Sequence, residues 1–346
     1  MKVFFSRLGV AALLLSVCAG CGPQDKNDPG SVTLTLGAFT VPKEAYQKEI
    51  IPAFQSYWKN RTGQRVRFQE SYEASGAQSR SIQAGFEADI AALSLEKDIE
   101  KLKAAGLITH DWKTPRSRAF VTRSVVIIAH RPGNPKNIRT IEDLQRPDVD
   151  VVYPSPKTSG GAMWVVNALY GAGLKLSEAA GGKQDPARAR RLLKSVQRRV
   201  KVMDKSGRLS VTTFENGIGD ALLTYENEAL LRQKQGREFP YIVPEATILI
   251  ENPVAVVDRN VEKHGNREVA EAFTAFLFTP ESQRTFARYG FRPVDEAVAA
   301  EFAGKYPVPE HLFTIDYLGG WNAVNARLYG RAGLWPAIMR ELADER

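Results

Sequence analysis

Apolar and polar positions change period repeatedly along this chain. Val32 to Leu36 alternates with period two and predicts a strand, whereas Tyr46, Ile50, Ile51, Phe54, Tyr57 and Trp58 recur at helical spacing within Lys43 to Asn60. The alternation continues with strand Val66 to Ser71, helix Gly76 to Phe86, apolar strand Ile90 to Leu93, and helix Lys97 to Ala105, stopped by Gly106. After the polar, irregular stretch Asp111 to Ser117, Ala119 to His130 is a long extended run rich in β-branched residues. A second series follows: strand Val149 to Tyr153, helix Gly160 to Ala172, basic helix Pro186 to Gln197, strand Val200 to Asp204, strand Ala221 to Tyr225 and helix Glu226 to Gln233. Ile248 to Asp258 is another long extended run, interrupted by Pro253.

Alternating strands and helices predict an α/β fold with mostly parallel central sheets. Two long strands bracketing a self-contained series predict a chain that crosses into a second lobe and returns. Later helices, with periodic Phe273, Phe276, Leu277 and Phe286, complete the first lobe. Lobe I then comprises residues 31–117 and 254–346, lobe II residues 118–253, and a ligand cleft lies between them. Closure is expected around the crossover strands near Arg118 and Pro253.

Length and composition fit this picture. A chain of 346 residues, 43% hydrophobic and 25% charged, has the makeup of a globular protein with about two cores, which excludes collagen-like, disordered and multi-spanning membrane classes. Two Cys and four His in so long a chain count against a disulfide scaffold or a zinc module.

The first residues do not follow the α/β pattern. Lys2 and Arg7 precede the apolar run Leu8 to Val17 and the small-residue stretch Cys18-Ala19-Gly20-Cys21-Gly22, the arrangement of an export signal too short to span a membrane. In that position the C-x-x-C pair reads as the end of a lipoprotein signal rather than as redox or metal chemistry, with Cys21 as the lipidated residue and plain secretion as the alternative. Residues 21–30 form a tether. Removing residues 1–20 leaves 45 basic against 39 acidic side chains, a net charge of +6 in place of +8.

Candidate chemistry lies in the loops that follow strands. Glu73-Ala74-Ser75-Gly76 and Pro156-Lys157-Thr158-Ser159-Gly160-Gly161-Ala162 each place a Ser-Gly turn before a helix. A helix N-terminus carries unpaired N–H donors and about half a positive charge, and glycine lets an anion approach the backbone. Ser75 and Ser159 also suit plain N-capping, and neither turn carries a dinucleotide or Walker phosphate pattern. Asp204-Lys205-Ser206-Gly207-Arg208 reads as a polar turn before Val211 to Asn216 that offers further backbone donors. Tyr225 ends an apolar strand, where α/β proteins bind ligands.

Taken in order, several segments resemble the sulfate- and thiosulfate-binding proteins of ABC importers. The resemblance rests on Ala74-Ser75-Gly76, Arg131-Pro132-Gly133-Asn134-Pro135-Lys136, Pro154 to Trp164, Gly217-Ile218-Gly219-Asp220, Glu226 to Leu230, Phe291-Arg292-Pro293, Phe313 to Asp316 and Gly319-Gly320-Trp321. It implies a type II periplasmic binding protein whose two lobes close on an oxyanion. By motif, Ser75 would donate from backbone and hydroxyl, Ser159 from its hydroxyl, and Gly160 and Gly161 from backbone N–H. Gly207 would supply the third loop's donor, with Ser206 and Arg208 as alternatives. Thr40 stands where an aspartate is usual, Tyr225 where sulfate-type members carry a tryptophan, and Ala77 where a lysine is usual.

These donors are neutral and suit a dianion. Sulfate carries no proton at neutral pH and wants donors only, whereas phosphate needs an acceptor, and a tyrosine hydroxyl supplies either. The expectation is an extracytoplasmic, lipid-anchored, monomeric solute-binding protein for sulfate or thiosulfate that serves a membrane-embedded ABC permease. Phosphate, molybdate or an anion-sensing receptor remain as alternatives. No cofactor, metal ligand set or catalytic group is expected, since neither G-x-S-x-G nor H-x-x-x-H spacing occurs. The basic run Arg188, Arg190, Arg191, Lys194, Arg198, Arg199 and Lys201 is read as a solvated helix face, not a nucleic-acid surface.

Overall fold

A computed structural model describes residues 30–113 and 119–345. The export signal, Cys18, Cys21, most of the tether and Arg118 lie outside the described residues.

The first strand, β1 (Ser31–Phe39), leads into a continuous helical stretch made of α1 (Lys43–Ala45), a π turn at Tyr46–Ile50, and α2 (Ile51–Thr62). There follow β2 (Arg65–Glu73), α3 (Ser75–Gln83), β3 (Ile90–Ala92), α4 (Glu96–Ala104) and the long β4 (Phe120–His130). The second series comprises β5 (Val151–Val152), α5 (Gly160–Gly181), α6 (Pro186–Arg198), β6 (Val200–Val202), α7 (Gly207–Glu215), β7 (Ala221–Tyr225), α8 (Glu226–Lys234) and β8 (Tyr241–Ile242). The long β9 (Ala246–Val256) returns the chain to α9 (Asp258–His264), α10 (Arg267–Phe276), α11 (Pro280–Arg288) and α12 (Glu296–Glu301). Finally come β10 (His311–Phe313), α13 (Gly320–Val324) and α14 (Leu334–Asp344).

The strands form one path in the order β2-β1-β3-β9-β4-β7-β5-β6, with β10 beside β9 and β8 beside β4. Its two ends are parallel: β1 pairs with β2 and β3, and β5 pairs with β6 and β7. The middle is antiparallel and is carried by the two long strands. Val254 to Val256 of β9 pairs with β3, while Leu249 to Pro253 pairs with β4; the remainder of β4, Val126 to His130, pairs with β7. The mixed α/β fold with helices flanking a central sheet is therefore as the strand–helix alternation predicts, with antiparallel pairing confined to the crossover strands and β8.

Packing follows the same division. Phe54 of α2 lies 5.0 Å from the Phe273 ring and 5.5 Å from Phe276 of α10, so the periodic aromatics of two distant segments share one core. Helix α5 is buried nearly all round, consistent with its apolar composition. The basic face of α6 is solvated and also carries ion pairs: Lys194 lies 2.8 Å from both Glu341 and Glu345 of α14, Arg190 pairs with Glu341, and Arg198 pairs with Glu345.

Candidate functional site

Three helix N-termini and two strand ends meet at the middle of the sheet. Ser75 opens α3, Ser159 caps α5, and Ser206 caps α7, so Gly160 and Gly207 are the first helical residues of their segments. The caps are real: Ser159 Oγ accepts from Ala162 N at 3.4 Å and Ser206 Oγ from Leu209 N at 3.3 Å. Because each cap oxygen accepts, its own O–H remains able to donate. The turn expected over Asp204 to Arg208 thus gives way directly to a helix, because Ser206 satisfies its first turn and Val211 and Phe214 are buried.

The donors are brought close across the middle of the molecule. A Cβ built on Gly160 would stand 2.7 Å from Ser94 Oγ and 2.9 Å from Leu95 Cγ, and one on Gly161 would stand 3.1 Å from the Tyr225 ring. A side chain at position 160 would force the strand end away, whereas at position 161 the Tyr225 ring would have to give by a few tenths of an ångström. Ser94 Oγ and Tyr225 Oη are hydrogen-bonded at 2.6 Å, and the Phe39 ring centre lies 6.4 Å from that of Tyr225. Thr40 follows Phe39 at the end of β1, half-buried. Thr158 Oγ1 donates to Lys205 O at 2.8 Å and Ser155 N to Asp204 O at 2.7 Å, which joins the α5 and α7 loops.

Ser94 is the residue that the sequence reading misses. Its N–H donates to Ser75 Oγ at 3.0 Å, and its carbonyl accepts from Trp164 Nε1 at 3.0 Å and Asn252 Nδ2 at 3.1 Å. The available signal is one polar residue between Leu93 and Leu95 just past a strand end. Ser75 departs from expectation in one respect. Its hydroxyl donates to Asp98 Oδ2 at 2.7 Å, so its proton is already engaged and its backbone N–H is left as its donor to a ligand.

Charge near the site is held by pairs. Arg208 reaches Glu44 Oε2 at 3.0 Å, Glu228 Oε1 at 3.1 Å and Val41 O at 3.2 Å, and Glu228 also binds Arg232. Burial opposes the Arg208 charge, but Glu228 and Glu44 outweigh it and hold the guanidinium above its ordinary pKa. Just after Tyr225, Glu226 is clamped by Arg292 at 2.7 and 2.9 Å; burial pushes its carboxyl up and Arg292 opposes the shift. Burial also raises the Tyr225 phenol well above its ordinary value, so it keeps its proton.

The space enclosed by Gly161, Gly207, Tyr225, Pro154 and Thr224 is only about 10 Å³, near the least that admits a single water. Among the described residues its lining contains no carboxylate. Thr224 Oγ1, in the same lining, is buried with no hydrogen-bond partner. Cavities of about 490 and 630 Å³ lie elsewhere, but neither includes any of the converging donors. A tetrahedral oxyanion is larger than one water, so this space would have to widen to admit it.

The family of bacterial extracellular solute-binding proteins matches residues 34–292. The chain belongs to this family. It is 38% identical over 349 aligned positions to a sulfate-binding protein from Synechococcus elongatus, covering 99% of this chain and 97% of that one. A thiosulfate-binding protein from Pseudomonas aeruginosa is 36% identical, covering 96% and 98%. Among solved structures, the sulfate-binding protein SubI from Mycobacterium tuberculosis superposes with a TM-score of 0.78 at 38% identity, covering 86% of this chain and 99% of that one. Neutral donors at helix ends, beside a lining without a carboxylate among the described residues, suit a deprotonated anion.

Proposed function

We propose that this protein is an extracytoplasmic solute-binding protein that captures sulfate, or the related thiosulfate, and delivers it to an ABC permease. One observation carries the reading: the N-termini of α5 and α7 and the end of β7 meet at a small space that Gly161, Gly207, Thr224 and Tyr225 line without a carboxylate among the described residues, and the N-terminus of α3 joins them through the Ser75–Ser94 hydrogen bond. Each helix end contributes about half a positive charge, and charged hydrogen bonds of about 1.5 to 3 kcal/mol apiece offset the anion's desolvation. The binding set is the backbone N–H groups of Ser75, Gly160, Gly161 and Gly207 with the hydroxyls of Ser159 and Tyr225, and Thr40 at the rim. The names of the relatives support the choice of anion. Catalysis is not part of this reading, and the same relatives are named as binding proteins.

In this proposal lobe I comprises residues 31–117 and 254–346, lobe II comprises residues 118–253, and β4 and β9 form the crossover. Cys21 carries a lipid anchor. Titrating the full chain with sulfate, thiosulfate, phosphate and molybdate at two pH values tests the assignment. The indole of Trp164, bonded to Ser94 beside the donors, supplies a fluorescence readout. Sulfate or thiosulfate is expected to bind far more tightly than phosphate, and a preference for phosphate overturns the substrate assignment. Tyr225→Phe is expected to weaken sulfate binding about tenfold, matching a lost hydrogen bond of about 1.4 kcal/mol, and unchanged calorimetric affinity removes Tyr225 from the site.

A further inference from the structure

Away from the anion site, the start of β9 and the start of β10 bring together three groups able to hold a metal. One ligand atom from each of Glu245, Glu310 and His311 lies within 4.8 Å of the other two. The strands pair in parallel, with His311 opposite Ala246, and His311 N donates to Glu245 O at 2.9 Å. Glu245 therefore sits opposite Glu310 across the pair. Each glutamate directly follows a proline, Pro244 and Pro309, whose fixed φ stiffens the backbone that carries it.

The electrostatics call for a cation. Among the described residues neither Glu245 nor Glu310 has an ion pair with Lys or Arg, and Glu245 has only His311, whose Nε2 is 3.3 Å from Glu245 Oε1. In the same groove, Arg139 Nε is engaged with Asn137 at 2.8 Å, and Glu142 pairs with Arg188 at 3.8 Å rather than with His311. Two unneutralised carboxylates repel, and a divalent ion relieves the repulsion.

The donor set also selects the ion. In a tetrahedral zinc centre with bonds of about 2.0 to 2.1 Å, neighbouring ligand atoms stand about 3.3 Å apart; His311 and Glu245 already have that separation, and Glu310, within 4.8 Å of both, would close on the ion by a side-chain movement. Calcium wants six to eight oxygens and magnesium an octahedral oxygen shell, so one imidazole with two carboxylates favours a first-row transition ion. We propose that Glu245, Glu310 and His311 form a binding site for a divalent transition metal, best suited to Zn²⁺, that pins β10 to the crossover strand β9. The two strand ends meet only in the folded chain, which is why no metal-binding spacing is visible in the sequence. The proposal does not depend on the anion assignment.

The test is calorimetric titration of the untagged full chain with Zn²⁺, carried out in a Cys18→Ser, Cys21→Ser background so that the N-terminal thiols do not compete. One equivalent is expected to bind, with affinity falling at least about tenfold in each of Glu245→Gln, Glu310→Gln and His311→Gln. Zn²⁺ should also raise the melting temperature of the parent chain and not that of Glu310→Gln. Absence of saturable binding, or binding that survives all three substitutions, overturns the site.

Discussion

Two arrays of paired charges use the same side chains in different surroundings. Beside the anion site, Arg208 is 23% exposed and its partners Glu44 and Glu228 are 19% and 0% exposed. On the outer surface, Lys194, Glu341 and Glu345, at 22%, 36% and 41%, make a ladder between α6 and α14. In the ladder, water and salt screen each pair, and such contacts contribute about 0 to 1 kcal/mol. In the inner array desolvation is costly and is offset only when every partner is present. Position decides function as well, because Arg208 adjoins the Gly207 donor and ties α7 to Glu44 and Val41 near the end of β1. Arg208 and Lys194 thus serve the scaffold, while neutral dipoles face the proposed anion site.

The largest expected effect comes from opening the inner array. Glu228→Gln leaves Arg208 and the buried Arg232 facing a neutral amide at a position that is itself fully buried, and stability should fall by about 3 kcal/mol in urea unfolding at unchanged m. A loss below about 1 kcal/mol would place this array in the same class as the outer ladder.

Next is a steric test of the same region. Gly160→Ala places a methyl 2.7 Å from Ser94 Oγ and 2.9 Å from Leu95 Cγ, so the α5 terminus must withdraw from the strand end it meets. Sulfate affinity should fall at least about tenfold, and fluorescence titration at constant ionic strength reads it. Unchanged affinity would mean that the approach of Gly160 to Ser94 is not needed for binding.

The sequence and the structure agree where local pattern decides and part where distant contacts do. Strand Ala221–Tyr225 is legible to the residue, because an apolar run lies between a Gly-rich turn and a helix. The two long crossover strands are legible from their β-branched composition within two residues at each end. Helix α7 is not, since Asp204-Lys205-Ser206-Gly207 has the composition of a turn, and glycine is a poor way to begin a helix unless its N–H groups have a use. Ser94 escapes because its tyrosine partner is 131 positions away, and Glu44 is 164 positions from Arg208. Ser75 shows the limit of resemblance. Its place at a helix N-terminus is as the motif implies, but its hydroxyl is taken by Asp98, which spacing does not reveal.

His264 lies between the two extremes and sharpens the contrast through pH. Its Nδ1 meets the buried Asp89 at 2.7 Å and its Nε2 meets the exposed Glu87 at 2.9 Å. Burial lowers its pKa, but the two carboxylates outweigh burial and the net shift is upward. A raised folded pKa means that the stabilisation is complete below the unfolded value of about 6.5 and is lost as pH rises through the folded value. The stability gap between the parent and His264→Gln should therefore shrink from pH 6 towards pH 9 in urea unfolding. A gap that stays constant would show that the imidazole acts by packing alone.

The smallest effect is expected on the outer ladder. Glu341→Gln removes the carboxylate shared by Arg190 and Lys194, yet both cations remain hydrated, and Lys194 keeps Glu345 at 2.8 Å. The loss should be about 0.5 kcal/mol at low salt. At 1 M NaCl the screening length falls to about 3 Å, and the difference from the parent should vanish, while sulfate affinity compared at matched ionic strength should not differ between the two proteins. A loss above about 1.5 kcal/mol that persists in high salt would show that α14 holds α6 through desolvated pairs. The contrast between an inner array built on a fully buried carboxylate and an outer one whose carboxylates are hydrated would then fail.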